Sequence, residues 1–163
     1  MSDEDNEFIQ GENAGSACGV VEAGRSKPGT LVMMKETFPC KVTAMNTAKP
    51  GKHGSAKAMI VAKDIFTDKQ YEESFGTGDM IGAPLVTKTE YLLLDLDEDR
   101  LTLMHQESGD VREDIDLPTF KHLDDVVKLL KKIHEAGKKE CLVTVQHFDN
   151  REQVISVREG NDQ

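Results

Sequence analysis

The amino-acid sequence predicts a mainly β protein of two small barrels, the second of which includes one α-helix. Short runs of β-branched and other apolar residues recur along the chain between breaks rich in glycine, proline and aspartate. Helical spacing of apolar residues begins only after residue 118. The 163 residues, 37% of them hydrophobic, are enough for two units of about 65 to 75 residues each.

The first half of the chain carries the signals of four strands. Residues 1–16 hold five acidic and no basic side chains, so we expect a disordered tail there. From Thr30 onwards the runs TLVMMK, CKVTAMN, KAMIVAKDIF and QYEESF are typical of strands, and Pro39 is assigned to a turn between the first two. The stretch GTGDMIGAP is rich in breakers and leads to a domain junction at residues 85–88. The first barrel is therefore predicted over residues 17–86.

The second half, residues 87–163, predicts three strands, a helix and two more strands. The strands are TEYLLLDLD, RLTLMHQE, DVREDIDLP, ECLVTVQHF and EQVISVRE. Helical spacing relates Phe120, Leu123, Val126, Val127, Leu130 and Ile133. Gly137 follows as the expected helix stop. This order is that of an OB-fold, a five-stranded barrel that binds oligonucleotides in many proteins.

Positive charge is concentrated in one part of an acidic chain. The formal net charge is -10, yet residues 37–63 contain five lysines and no acidic residue. Phosphate contacts are the main source of non-specific nucleic-acid affinity, so the acidic balance argues against broad RNA binding. Any RNA contact is expected to be local.

The centre of this positive segment is a lysine between two glycines. Residues 46–56 would connect two strands of a hairpin, whereas such connections usually have about two to five residues. Lys52 lies between Gly51 and Gly54 and beside His53, so its amine is expected to be uncrowded. This pattern suits a cation delivered into a narrow site or presented to a modifying enzyme. It also fits an ordinary solvated hairpin tip.

The sequence predicts neither a catalytic site nor a metal or cofactor site. Met45 and His53 occupy positions where a phosphate-binding P-loop needs glycine and serine or threonine. Cys18, Cys40 and Cys141 form no Cys-x-x-Cys pair, and the histidines lack the spacing of a zinc site. No apolar run approaches the roughly 20 residues of a membrane span. The amino terminus is acidic rather than basic, and we expect a cytoplasmic protein.

Three motifs in order, KPGKHGSAK, DIFTDKQYEE and SGDVREDIDLP, resemble the eukaryotic translation initiation factor 5A family. This family comprises the hypusine-containing relatives of bacterial elongation factor P. The resemblance covers residues 39–118 and continues more weakly to the carboxy terminus. It implies an SH3-like first barrel and an OB-fold second barrel. It also implies that Lys52 is the hypusine site, made from spermidine by deoxyhypusine synthase and deoxyhypusine hydroxylase.

The implied function is that of a non-enzymatic translation elongation and termination factor. In the family the modified lysine reaches from the ribosomal exit site towards the peptidyl-transferase centre, beside the peptidyl-tRNA, and promotes peptide bonds at proline-rich stretches. No DNA or membrane partner is implied. The residues expected to support modification and to contact tRNA or rRNA are Lys49, Pro50, Gly51, His53, Gly54 and Lys57. Two of the loop residues depart from the usual pattern, since Pro50 replaces a threonine and Ser55 a histidine.

Three other hypotheses stay open at this point. The first is a generic RNA-binding OB-fold module in which Lys52 is one ordinary cation among several. The second is a diverged paralogue without hypusine, and the third is a small enzyme. A simple phosphate binder would weaken steeply with ionic strength and would bind free RNA without a ribosome.

Overall fold

Paired strands account for most of residues 18–49 and 56–163, which are the residues that the computed structural model describes. Within these ranges the chain forms eleven strands and one α-helix. It divides into two compact units, with the boundary between Leu85 and Val86. The predicted acidic tail, residues 1–16, lies outside the described residues.

The first unit consists of two antiparallel sheets around one core. Its described strands are β1 (Cys18–Glu22), β2 (Leu31–Met34), β3 (Phe38–Ala48), β4 (Lys57–Asp64), β5 (Gln70–Gly76) and β6 (Met80–Pro84). The larger sheet has the order β2-β3-β4-β5, and β1 pairs with β6. The predicted alternation in β4 is confirmed, because Ala58, Ile60 and Ala62 are buried whereas Lys57 and Lys63 are exposed.

The assignment of Pro39 to a turn is wrong. Pro39 lies in β3, opposite Met33 of β2, and its side chain is fully buried. Its carbonyl accepts a hydrogen bond of 2.9 Å from the N–H of Ile65. Ile65 lies beyond the last register pair of β3 with β4, which joins Cys40 to Asp64. The N–H and C=O of one residue point to the same side of a strand. An N–H at position 39 would therefore face β4 beyond its last paired residue, where no ladder hydrogen bond is lost.

The sequence also failed to predict two strands. Residues 80–84, assigned to a breaker-rich stretch, form β6 and pair with β1 from Cys18–Pro84 to Glu22–Met80. Gly82 suits this strand because a side chain there would meet the Met33 side chain at 3.0 Å. Pro84 is the last residue of β6, and β6 pairs only with β1, so this proline lies in an edge strand, where a missing N–H is tolerated.

The second unit has the predicted order of an OB-fold. Its elements are β7 (Thr87–Asp97), β8 (Arg100–His105), β9 (Val111–Asp116), a 3-10 turn (Lys121–Leu123), α1 (Asp124–Ala136), β10 (Lys139–Phe148) and β11 (Arg151–Asp162). The strands form one antiparallel sheet, β9-β8-β7-β10-β11. The helix packs on β10 and β11 through Val126, Val127, Leu130 and Ile133. The predicted mainly β fold with one α-helix is confirmed.

The end of α1 follows the prediction and its start does not. Gly137 adopts a left-handed conformation with φ of 65°, and its N–H donates to the carbonyl of Ile133. At the other end, Phe120 precedes the 3-10 turn and is 41% exposed, so it does not continue the buried helical stripe. The α-helix itself starts at Asp124. Asp124 and Asp125 lie in its first turn, where negative side chains interact favourably with the positive end of the helix dipole.

Replacing the residue that ends α1 tests this geometry. We expect Gly137→Ala to lower the free energy of unfolding by about 1 kcal/mol, because a β-carbon disfavours the left-handed conformation. Gly137→Asn is the matched control and should lose less, since asparagine tolerates this conformation better. Urea unfolding followed by far-ultraviolet circular dichroism measures both. Equal losses would contradict the conformational explanation.

Candidate functional site

The hairpin formed by β3 and β4 carries the lysine-rich connection that the sequence singled out. Its last register pairs are Asn46–Met59, Thr47–Ala58 and Ala48–Lys57. The ladder therefore continues beyond Asn46, where the sequence had placed the start of the loop. Asn46, Thr47 and Ala48 include no glycine or proline, so nothing in this segment interrupts the pairing.

The predicted site residues fall into two groups. Lys49 directly follows β3 and Lys57 opens β4, and both side chains are exposed at the same end of the sheet. The other predicted residues, which lie between them in sequence, are outside the described residues: Pro50, Gly51, Lys52, His53 and Gly54. The structure thus describes both strand ends from which the connection leaves and returns.

The carboxyl end of the connection is held by the turn between β5 and β6, residues 77–79. The N–H of Thr77 donates to the carbonyl of Ala56 at 3.1 Å, and the carbonyl of Thr77 accepts from the N–H of Gly24 at 2.9 Å. The carbonyl of Asp79 accepts from the N–H of Ala23 at 2.8 Å. The carboxylate of Asp79 also accepts from the N–H of Gly76 at 2.8 Å. Three backbone segments, residues 23–24, 56 and 76–79, therefore meet at the base of the connection.

Sequence reasoning missed this base because most of its bonds join backbone groups. The only local signal is the GTGD sequence, in which glycine and aspartate are typical turn residues. A glycine is needed at position 24 for steric reasons, since a β-carbon there would lie 2.9 Å from the carbonyl oxygen of Thr77. Nothing in the sequence relates Gly24 to Ala56.

The outer face of the β3–β4 hairpin is positively charged. Lys41 lies directly opposite Lys63, and Lys57 and Lys63 share the outer side of β4. Like charges directly opposite each other destabilise a sheet slightly. Lys63 lies 4.0 Å from Asp68, whereas Lys41 and Lys57 have no ion-pair partner among residues 18–49 and 56–163. This face can therefore attract an anionic partner.

Two of the three thiols are unsuited to nucleophilic chemistry. Burial, and secondarily the neighbouring Asp64 carboxylate, raises the pKa of Cys40 to about 12. Burial raises the pKa of Cys141 to about 11. The reactive form of cysteine is the thiolate, so these two side chains remain protonated and inert near neutral pH.

Across the described parts of the chain, no group of three or more histidine, cysteine or carboxylate residues is arranged to hold a metal ion. In the same residues, no helix has the length and apolar character that crossing a membrane requires.

Alkylation tests the state of the thiols. With iodoacetamide at mildly alkaline pH, Cys18, which is partly exposed, should be modified first. Cys40 and Cys141 should react only after unfolding in denaturant. Peptide mass spectrometry at several times identifies each site. Modification of Cys40 in the folded protein as fast as that of a free thiol would contradict the burial described here.

A substitution at Gly24 tests the base of the connection. Gly24→Ala should lower the stability of the first unit by about 1 to 3 kcal/mol, because the new methyl group must displace the Thr77 backbone. Gly19→Ala is the matched control, since its β-carbon would come no closer than 4.0 Å to the Ala83 carbonyl oxygen. Thermal unfolding of both variants measures the difference. A neutral Gly24→Ala would show that this contact is not tight in solution.

Comparison with known families covers both units. Residues 16–78 match the family model described as "Translation initiation factor 5A-like, N-terminal". Residues 85–158 match the model described as "Eukaryotic elongation factor 5A hypusine, DNA-binding OB fold".

Individual relatives match over nearly their whole length. Eukaryotic translation initiation factor 5A of Dictyostelium discoideum is 37% identical over 164 aligned residues, covering 97% of this chain and 99% of the relative. Eukaryotic translation initiation factor 5A-1 of Saccharomyces cerevisiae is 34% identical over 160 residues, covering 98% of each. A solved structure, the translation initiation factor eif-5a family protein from Naegleria fowleri, superimposes with a TM-score of 0.79 at 33% identity. It covers 88% of this chain and 99% of that chain.

These matches confirm the resemblance that the three motifs predicted, and they extend it towards the amino terminus as far as residue 16. The second family description includes hypusine and an OB fold, in agreement with the sequence prediction. The chain therefore belongs to the eukaryotic translation initiation factor 5A family, a family of translation factors.

Proposed function

We propose that this translation factor acts in elongation and termination through a hypusine formed at Lys52. In this proposal it binds the ribosome near the exit site and promotes peptide-bond formation at stalled, proline-rich sequences. The observation that carries the proposal is the β3–β4 hairpin, whose paired ends at Ala48 and Lys57 lead directly into the glycine-flanked lysine. A long cationic side chain on this connection suits a narrow, anionic site.

A factor of this kind needs no chemical group of its own. Holding two reactants in a productive orientation can remove several kcal/mol from a barrier, so it can accelerate the ribosome without being an enzyme. The geometry is consistent with positioning, because the two strands are paired without a break from Ala44 to Ala48 and the end of the connection is bonded to residues 77–79. A rigid support limits the entropy lost when the lysine is placed beside a peptidyl-tRNA.

Modification is assigned to spermidine-dependent deoxyhypusine synthase followed by deoxyhypusine hydroxylase. Gly51, His53 and Gly54 match the family's loop pattern around Lys52, and we assign to them the recognition of this loop by the modifying enzymes. Pro50 and Ser55 lie in the same loop and differ from that pattern. The proposal therefore requires that the synthase accepts a proline before Gly51.

The two barrels are assigned different roles. The first, residues 17–86, carries the hypusine loop, and exposed Lys49 and Lys57 offset the phosphate charge of nearby tRNA and rRNA. The second, residues 87–163, contacts tRNA or the ribosome. The acidic remainder of the chain limits binding to RNA elsewhere, and the cytoplasm is the proposed place of action.

Replacing the modified lysine tests this proposal. Lys52→Arg keeps the positive charge but removes the amine that accepts the aminobutyl group. We expect the variant to lose its stimulation of proline-rich peptide synthesis in a reconstituted translation system while keeping an unchanged thermal unfolding midpoint. Lys49→Arg and Lys57→Arg are matched controls that should retain activity after modification.

Two outcomes would count against the proposal. Full stimulation by Lys52→Arg would show that hypusine is not required. Binding of free RNA that weakens steeply with salt, without any effect on proline-rich synthesis, would favour the generic RNA-binding module instead.

A further inference from the structure

The charges of the second unit are separated along the chain. Residues 86–116, which contain β7, β8 and β9, have ten acidic and three basic residues and a net charge of -7. Residues 117–139, which contain α1 and its flanks, have six basic and three acidic residues and a net charge of +3. Of these two segments, the one that contains the helix is positive and the other is negative.

The side on which OB-folds usually bind oligonucleotides is unfavourable for RNA in this protein. That side is formed by the second and third strands and by the loops after the first and fourth strands. Here the loop after β7 contains Glu98 and Asp99, and the loop after β10 contains Asp149. Carboxylates at these positions repel phosphate.

The arginines of this side are already paired. Arg112 donates to both carboxylate oxygens of Asp114 and of Glu152 at 2.6 to 2.9 Å, and to the hydroxyl of Tyr91 at 3.2 Å. Arg100 is paired with Asp116. The hydrogen bonds from Arg112 lower the pKa of Asp114 and Glu152, so both carboxylates remain charged at neutral pH. A phosphate would have to displace these partners.

Helix α1, in contrast to the strand face, carries positive side chains that are unpaired among the described residues. Lys128, Lys131 and Lys132 are exposed, lie three and four residues apart on the side away from the core, and define what we call the α1 lysine face. Lys121 and Lys138 flank the helix and are also exposed. None of these five lysines has an ion-pair partner among residues 18–49 and 56–163.

Local helix stability accounts only in part for the position of these three lysines. Like charges three or four residues apart destabilise a helix by a few tenths of a kcal/mol per pair, and Lys128 faces both Lys131 and Lys132. The helix dipole favours cations in the last turn, which Lys128 precedes. Asp124 lies four residues before Lys128 and Glu135 four residues after Lys131, spacings that favour ion pairs in a helix, yet neither pair is formed among the described residues.

We propose that the α1 lysine face binds the phosphodiester backbone of ribosomal RNA, in place of the usual OB-fold strand face. Lys128, Lys131 and Lys132 span about 6 Å along the helix axis, a length that suits neighbouring phosphates of one strand. Charge complementarity selects the occupant, because the rest of this unit repels RNA. The inference rests on the proposed binding of the ribosome and specifies which surface of the second unit makes the contact.

Equilibrium binding of the full-length protein to purified ribosomes, measured at several salt concentrations, tests this inference. The triple variant Lys128→Gln, Lys131→Gln, Lys132→Gln should bind about tenfold more weakly or worse near 0.1 M salt. The plot of log K against log salt should become less steep, and the magnitude of its negative slope should decrease by about two, since each lost phosphate contact removes roughly 0.7 to 0.9. Glutamine is a good helix former, so circular dichroism and the unfolding midpoint should not change.

Two matched variants separate local contact from net charge. Replacing the same three lysines with arginine should preserve affinity and slope. Replacing exposed Lys27, Lys35 and Lys88 with glutamine removes the same charge elsewhere and should change affinity by less than about twofold. An unchanged affinity of the α1 glutamine variant would overturn the inference, as would an equal loss in the Lys27, Lys35 and Lys88 variant.

Cross-linking identifies the occupant. A photo-reactive amino acid at exposed Ala136, beside the lysine face, should attach to ribosomal RNA. Attachment only to a ribosomal protein or only to tRNA would overturn the inference. If the unsubstituted protein did not bind ribosomes at all, the proposed function itself would fail. Ribosome binding that is unaffected by the α1 glutamine substitutions would overturn only the assignment of this surface.

Discussion

The antiparallel pairing of β3 with β4, which shifts register once at Thr43 and then runs unbroken to Ala48 and Lys57, is the constraint on which the rest of this protein depends. Neighbouring strands lie about 5 Å apart, so the connection between them must leave and return at one point of the sheet edge. The bond from Thr77 to Ala56 fixes the returning end, and Gly24 allows that turn to approach. The β-sheet and its turns thus hold both ends of the connection that contains Lys52 in sequence.

Charge provides the second organising feature. A net charge of -10 disfavours random binding to RNA, and in the proposed function the positive segments decide where contact occurs. In the first unit these segments surround the β3–β4 hairpin, and in the second they lie on α1. The arginines of the acidic strand face are bonded to carboxylates, so they contribute little free positive charge.

The sequence was informative where structure depends on local patterns. Alternation around Ile60 and helical spacing before Gly137 reflect burial of one face, and both are present in the structure. The pairing of β1 with β6 joins distant residues through backbone bonds, which leave no periodic signal. Pro39 was misassigned because the consequence of its missing donor depends on where the neighbouring strand ends. The glycine-flanked lysine could be recognised from sequence, whereas the bonds at the base of its loop could not.

Peptide mass spectrometry of the protein purified from its natural source tests the central claim most directly. The account predicts that the peptide containing Lys52 carries the added mass of a hydroxylated aminobutyl group, and that Lys49 and Lys57 carry none. A population in which Lys52 is wholly unmodified would contradict the claim that this hairpin exists to present a hypusine.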